Sequence, residues 1–201
     1  MARTLVTGPT LEPVTLDEIK DHIRISTTVS ATEDTLLLSF IKVARNWCEK
    51  YQSRSYLDQT WDMLIDTWPV GDIITVPLPP LQSVTYVYYY GTGGTANTMT
   101  ASTYIVDTDG EPGRVALAYG ETWPSETLRP INGVKVRFVC GYGSTASVVP
   151  DGVKEAIKLI VGDLYEHRED SDTWGQSKIL ADTTITYGVK GLLNLERLWP
   201  V

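Results

Sequence analysis

The period of the hydrophobic pattern changes twice along this chain, and that double change restricts the fold more than any single motif does. Apolar residues recur at helical spacing up to about residue 51, alternate from about 55 to 141, and return to helical spacing near 150. A helix repeats about every 3.6 residues and a strand about every 2, so one pattern does not serve as the other. The order helix, strand, helix therefore reads as α+β: a helical bundle with a small antiparallel β-domain inserted into it.

Helix starts are written locally. Thr15 with Glu18 is a capping box, in which hydroxyl and carboxylate satisfy orphan amides at a helix start. Leu16, Ile19 and Ile23 follow, which predicts a short amphipathic helix over 16–25, and Pro9 and Pro13 imply an extended lead-in. The second helix is expected over about 33–51. Leu37, Ile41, Ala44, Cys48 and Tyr51 make one stripe on it, and Leu36, Phe40, Val43 and Trp47 make a second beside it. A surface helix usually has one apolar stripe about 100° wide. Two adjacent stripes leave a narrow polar sector of Lys42, Arg45, Asn46 and Glu49. Either this helix runs through the centre of its domain, or one face is kept for a neighbouring subunit.

From Ser55 onward the strand signal takes over. Leu57, Gln59, Trp61, Met63 and Ile65 alternate with Asp58, Thr60, Asp62, Leu64 and Asp66. Further strands are predicted at 73–76, 83–90, near 104–107, at 114–119 and at 134–140, with the proline-rich stretch at 77–81 unable to continue a ladder. A third long helix opens at Pro150–Asp151, where proline suits the first turn and the carboxylate suits the dipole. Val153, Ile157, Ile160, Val161, Leu164 and Tyr165 supply its buried face. Residues 173–201 hold too much apolar content for a solvated tail and too little periodicity for a helix standing alone, so they are expected to order against something else. The division expected is an N-terminal helical segment (1–54), an inserted β-domain (55–148), a long helix completing a three-helix bundle (149–172) and an extended C-terminal arm (173–201).

Composition narrows the function. Lys and Arg number 17 against 25 Asp and Glu, a net charge of −8, and no basic stripe overrides that average, so nucleic acid is not expected as a gripped ligand. The opening residues lack the apolar core of a signal peptide, and no run is long enough to span a membrane. Cys48 and Cys140 stand far apart in apolar surroundings and read as small buried hydrophobes. There are 11 Tyr and 6 Trp but only 2 Phe, a balance suited to surfaces wet at one time and buried at another.

No catalytic constellation emerges. His22 has Glu18 four residues before it and His167 has Asp163, but a pair is not a metal site without a third ligand. Asp107-Thr-Asp-Gly-Glu lacks the distal ligands of a calcium loop and reads as a hairpin turn, and Gly141-Tyr-Gly-Ser lacks the lysine of a phosphate loop. No enzyme activity, metal or cofactor is expected.

Four stretches together are nevertheless recognisable. They are Glu12-Pro-Val-Thr-Leu-Asp-Glu-Ile-Lys20 with His22-Ile-Arg-Ile25, Asp34-Thr-Leu-Leu37 to Trp47-Cys-Glu49, Pro150-Asp151 to Leu164-Tyr-Glu-His-Arg-Glu169, and Tyr187-Gly-Val-Lys-Gly-Leu-Leu193. In this order they resemble the head–tail connector (adaptor) proteins of tailed bacteriophages and gene transfer agents, in the longer type with a β-domain inserted between helices. Tyr187 stands where that family often has proline, and the ending Glu196-Arg-Leu-Trp-Pro200 also departs from its pattern.

The resemblance implies a structural protein of the virion neck, assembled in the host bacterial cytoplasm. It implies a ring of about twelve subunits, whose partners are the portal protein on one side and a stopper, head-completion or tail protein on the other. Genome DNA would pass through without specific binding, past a channel on which twelve copies at −8 place a charge of about −96. Leu36, Phe40, Val43 and Trp47 are the expected subunit interface. Tyr187, Val189, Leu192, Leu193, Leu195 and Trp199 are the expected portal-binding arm, and the β-domain with Tyr86, Tyr88 and Tyr90 is expected to face outward or towards the next neck protein. The alternatives are another neck or tail component, such as a stopper or tail terminator, and a carbohydrate- or peptide-binding module using the Tyr/Trp surface.

Overall fold

Thr15 begins helix α1 (Leu16–His22) through the reciprocal cap that its sequence encodes. Its hydroxyl accepts from the Glu18 amide at 3.2 Å, and the Glu18 carboxylate accepts from the Thr15 amide at 2.7 Å. The computed structural model describes residues 1–26, 31–167, 187–195 and 197–198, and the chain divides into two compact units. Leu11–Ser53 and Thr145–Val201 form the helical unit, whereas Met1–Thr10 and Arg54–Ser144 form the β unit.

The helical unit contains α1, α2 (Ala31–Gln52), α3 (Asp151–Glu166) and α4 (Tyr187–Asn194). Helix α2 packs against α3, α1 packs against both, and α4 packs against α3 and α2. Leu37, Ile41, Ala44 and Cys48 are fully buried on α2, and Val153, Ala156, Ile157, Ile160, Val161 and Leu164 are buried on α3, which packs against it. Each large apolar side chain in such a core contributes about 1.5–3 kcal/mol relative to exposure.

The expected bundle of three helices with an extended arm is corrected at α4. Residues 187–194 are helical, with Val189 and Leu193 buried. An isolated helix this short is marginal in water, so its order comes from the partner helices, a contribution that local periodicity does not display. The expected arm residues 173–186, and the end of the long helix expected over 149–172, fall outside the described residues.

In the β unit, the described strands are β1 (Ala2–Thr7), β2 (Gln59–Ile65), β3 (Ile73–Val76), β4 (Leu81–Tyr90), β5 (Ala96–Thr98), β6 (Tyr104–Asp107), β7 (Gly113–Leu117) and β8 (Val134–Cys140). All pairings are antiparallel, in a five-stranded sheet ordered β1-β2-β8-β4-β5 and a three-stranded sheet ordered β3-β7-β6. Strand β8 shows why: Val134, Val136, Phe138 and Cys140 are buried while Lys135, Arg137 and Val139 turn to the other face. The inner residues of both sheets, including Met63, Val87 and Val115, share one core.

Two strands escape the sequence pattern. All six residues of β1 are exposed, so it has no buried face to announce it and is held through its ladder to β2. Residues 1–10, read from sequence as belonging with the helices, consequently lie in the β unit. Strand β5 is three residues long, too short to show a period. The Asp107 segment is the hairpin turn between β6 and β7: its Oδ1 accepts the amides of Asp109 and Gly110, each at 3.1 Å.

Candidate functional site

His22 and His167 lie on different helix ends; the exposed His167 Nδ1 is 3.2 Å from Asp163 Oδ1 of its own helix. Among the described residues no group of three or more His, Cys, Asp or Glu is arranged to hold a metal ion. Cys48 and Cys140 are buried free thiols, and burial pushes Cys48 up to about 12, which keeps it protonated and unreactive. What the fold does present is surface, in three places.

The first is helix α2. The stripe of Leu37, Ile41, Ala44 and Cys48 is fully buried, but the neighbouring stripe is not: Leu36, Phe40 and Trp47 are half-buried and Val43 is 40% exposed. The sector read from sequence as polar accounts for the difference. Arg45 and Glu49 turn inward, with Arg45 Nε 2.7 Å from Glu12 and its Nη1 2.7 Å from Glu49. Burial opposes the Arg45 charge, but the Glu49 and Glu12 carboxylates outweigh it and hold the guanidinium above its usual pKa. With that ion-pair cluster seated inside, the second apolar stripe is rotated partly into the open.

The second surface is the C-terminal helix. Gln52 Nε2 donates to the Leu193 carbonyl at 2.6 Å, Tyr51 OH donates to Asn194 Oδ1 at 3.0 Å, and the Leu198 amide donates to the Gln52 carbonyl at 3.3 Å. Arg197 lies 4.3 Å from the centre of the Tyr51 ring, which itself stacks on Trp47 at 5.1 Å. Of the residues expected on a portal-binding arm, Val189 and Leu193 are thus spent on the helical unit's own core. Leu192 is half-buried and Leu195 is 84% exposed. Trp199 and the Tyr187 side chain lie outside the described residues.

The third is the outer face of the five-stranded sheet. Tyr86, Tyr88 and Tyr90 share this face, each half-buried, and Tyr86 stacks on Tyr88 at 3.9 Å. Cross-strand from them, Arg137 grips Asp62 with two hydrogen bonds of 2.7 and 2.8 Å and lies over Tyr86 at 5.0 Å. Hydrogen bonding from Arg137 holds the Asp62 carboxyl below its usual range. Lys135 Nζ stands 3.6 Å from the same carboxylate, and Arg129 covers Tyr90 at 3.9 Å. Sequence reasoning found these tyrosines but not their cations, although the alternation Val134-Lys-Val-Arg-Phe138 carried the signal.

Comparison with known proteins bears out the resemblance read from the sequence. Residues 13–107 match the family described as phage gp6-like head-tail connector protein. Among solved structures, a chain in "Virion of native gene transfer agent (GTA) particle" superposes with a TM-score of 0.78 at 23% identity, over 100% of this chain and 97% of that one. A chain in "Neck of empty GTA particle computed with C6 symmetry" gives the same four values. One in "Neck of native GTA particle computed with C12 symmetry" gives 0.77 at 22% identity, with the same coverage of both chains. No curated protein matches the sequence.

Proposed function

We propose that this chain, whose residues 13–107 match the head-tail connector family, is a structural connector subunit of the neck of a tailed phage or phage-like particle. The observation that carries the reading is the likeness of fold over the whole chain to a chain of a gene transfer agent neck, in the same protein that carries the family match. Its work is mechanical: to join the portal to the stopper or tail protein below it, as a homo-oligomeric ring of about twelve copies through which the genome passes.

Several features of the chain support this. The open stripe Leu36, Phe40, Val43 and Trp47 offers the apolar surface that a subunit contact needs, beside a fully formed core that does not require it. A closed ring joins unlike patches on successive copies, so one stripe on one helix is half of a contact. The net charge of −8 per copy keeps DNA from adhering as it moves. Portal binding falls to Tyr187, Leu192, Leu195 and Trp199 of the C-terminal segment, of which Leu195 is exposed and Leu192 half-buried, while Val189 and Leu193 anchor α4 to α2 and α3. Assembly takes place in the host bacterial cytoplasm.

Co-sedimentation with the portal protein of the same genome tests the reading, comparing the full chain with a form lacking 196–201. The full chain is expected to travel with the portal as a ring, and the shortened form, which keeps α4, to stay folded and bind more weakly. A full-length chain that remains monomeric and does not bind the portal would overturn the connector reading.

A further inference from the structure

The five-stranded sheet of the β unit carries an open backbone edge on each side. On one side, β1 pairs with β2, and its outer edge has no backbone partner among the described residues. On the other side, β4 is ten residues long, but β5 covers only Tyr88–Tyr90, with one further bond from the Met99 amide to the Val87 carbonyl. Leu81–Tyr86 therefore has β8 along one side and no backbone partner along the other among the described residues. Gln82, Ser83 and Thr85 are exposed there. The Gln82 side-chain amide reaches back to Asp58 and the Gly141 carbonyl, on the β8 side, and leaves the outer edge clear. The open lengths match: six residues of β1 and six of β4.

Proteins that stay single usually blunt such edges with charge, proline or cover. Across these two segments Arg3 is the one charged residue, there is no proline, and Leu5 and Val6 are 47% and 43% exposed. Both segments hold β-bulges, which add twist but no cover. The two edges also fit each other. Three antiparallel pairings separate β1 from β4, so the two strands run in opposite directions. A copy set alongside in the same orientation thus brings its β1 antiparallel to β4, and in a ring of about twelve the turn between copies is only about 30°. The faces agree as well. Leu5, Trp61, Phe138 and Val84 lie in one row across the sheet, and the last three pack in the β unit's core. That row starts at one open edge and stops at the other, so the Leu5 face of a neighbour continues it. Pairing of β1 with β1 would close at two copies and leave β4 open.

We propose that β1 of one copy adds as a strand to the open edge of β4, Leu81–Tyr86, in the next copy of this chain, antiparallel and with Leu5 on the Val84 face, so that the sheets join from subunit to subunit around the ring. The inference rests on the connector reading and gives it a backbone contact. Strand addition supplies main-chain hydrogen bonds, and the apolar row decides which face of β1 turns inward. Each copy offers one edge and accepts on the other, the unlike pair that a closed ring requires.

Hydrogen exchange of the full chain, diluted to free subunits and assembled into the ring, tests this without altering the protein. Peptides covering 2–7 and 81–86 are both expected to exchange at least about tenfold more slowly in the ring, because their outer amides become bonded. Substitution is the second arm. Leu5→Lys with Val6→Lys charges β1, and Ser83→Lys with Thr85→Lys charges β4; all four positions are exposed, so circular dichroism is expected to stay native. Each double variant is expected to assemble at least about tenfold more weakly. Mixed together, the two variants retain one intact pair of edges and are expected to form dimers that grow no further. Rings in which either segment exchanges as fast as in the free subunit, or folded double variants that both assemble as well as the original, would overturn the proposal and leave the connector reading standing. Absence of any ring from the unaltered chain, alone or with the portal, would remove both.

Discussion

The two units of this protein leave different kinds of surface open. The helical unit exposes an aliphatic and aromatic stripe on α2, whereas the β unit exposes tyrosines interleaved with ion-paired cations. The helical stripe lies beside fully buried neighbours on the same helix, and its openness follows from Arg45 and Glu49 having gone inside. The cations of the tyrosine face follow from strict alternation in β8, which sends Lys135 and Arg137 outward whatever their chemistry. A helix with two apolar stripes must choose which to bury, and a strand has that choice made by its pleat.

The largest expected effect separates the two stripes of α2. Ile41→Ala removes fully buried methyl groups and is expected to cost about 2–4 kcal/mol in urea denaturation. Val43→Ser, two residues on, is expected to stay within about 0.5 kcal/mol as a monomer yet to reduce ring formation in sedimentation velocity. Equal loss of stability from both would mean that α2 is buried all round, and the contrast would break.

Asp62 gives the corresponding test in the β unit, with a smaller effect. Asp62→Asn leaves Arg137 and Lys135 without their carboxylate and is expected to cost about 1–2 kcal/mol, discounted because both cations are partly solvated. The sign with pH follows from the lowered carboxyl pKa. Its stabilisation is complete above the unfolded aspartate value of about 4 and disappears as pH falls through the lower folded value. Acid titration of the original chain should therefore show a loss below about pH 4 that the Asn variant lacks. Coincident acid profiles would show that the Arg137 pairing does not contribute.

The smallest effect belongs to Thr15. Its replacement by Ala removes the hydroxyl half of the capping box and is expected to cost about 1 kcal/mol, with faster amide exchange confined to the start of α1. The Glu18 carboxyl should keep most of its lowered pKa in that variant, since the Thr15 backbone amide is what chiefly lowers it. Exchange that rises across α2 and α3 as well would show that α1 is integral to the helical core rather than a capped appendage.

Much of this architecture was legible locally. The cap at Thr15, the opening of α3 after Pro150, the Asp107 turn and the alternation in β2 and β8 depend on residues within a few positions of one another, so the sequence by itself determined them. The same holds for the family resemblance, which rests on short stretches in a recognisable order. Tertiary structure alone decided the rest. Strand β1 owes its place to an open ladder on β2, and α4 owes its helix to α2 and α3. Arg45 is inside because Glu12, far away in the chain, meets it there together with Glu49. Periodicity reports how apolar a face is, but burial of a charge or of a short segment depends on a distant partner, and no local pattern contains that partner.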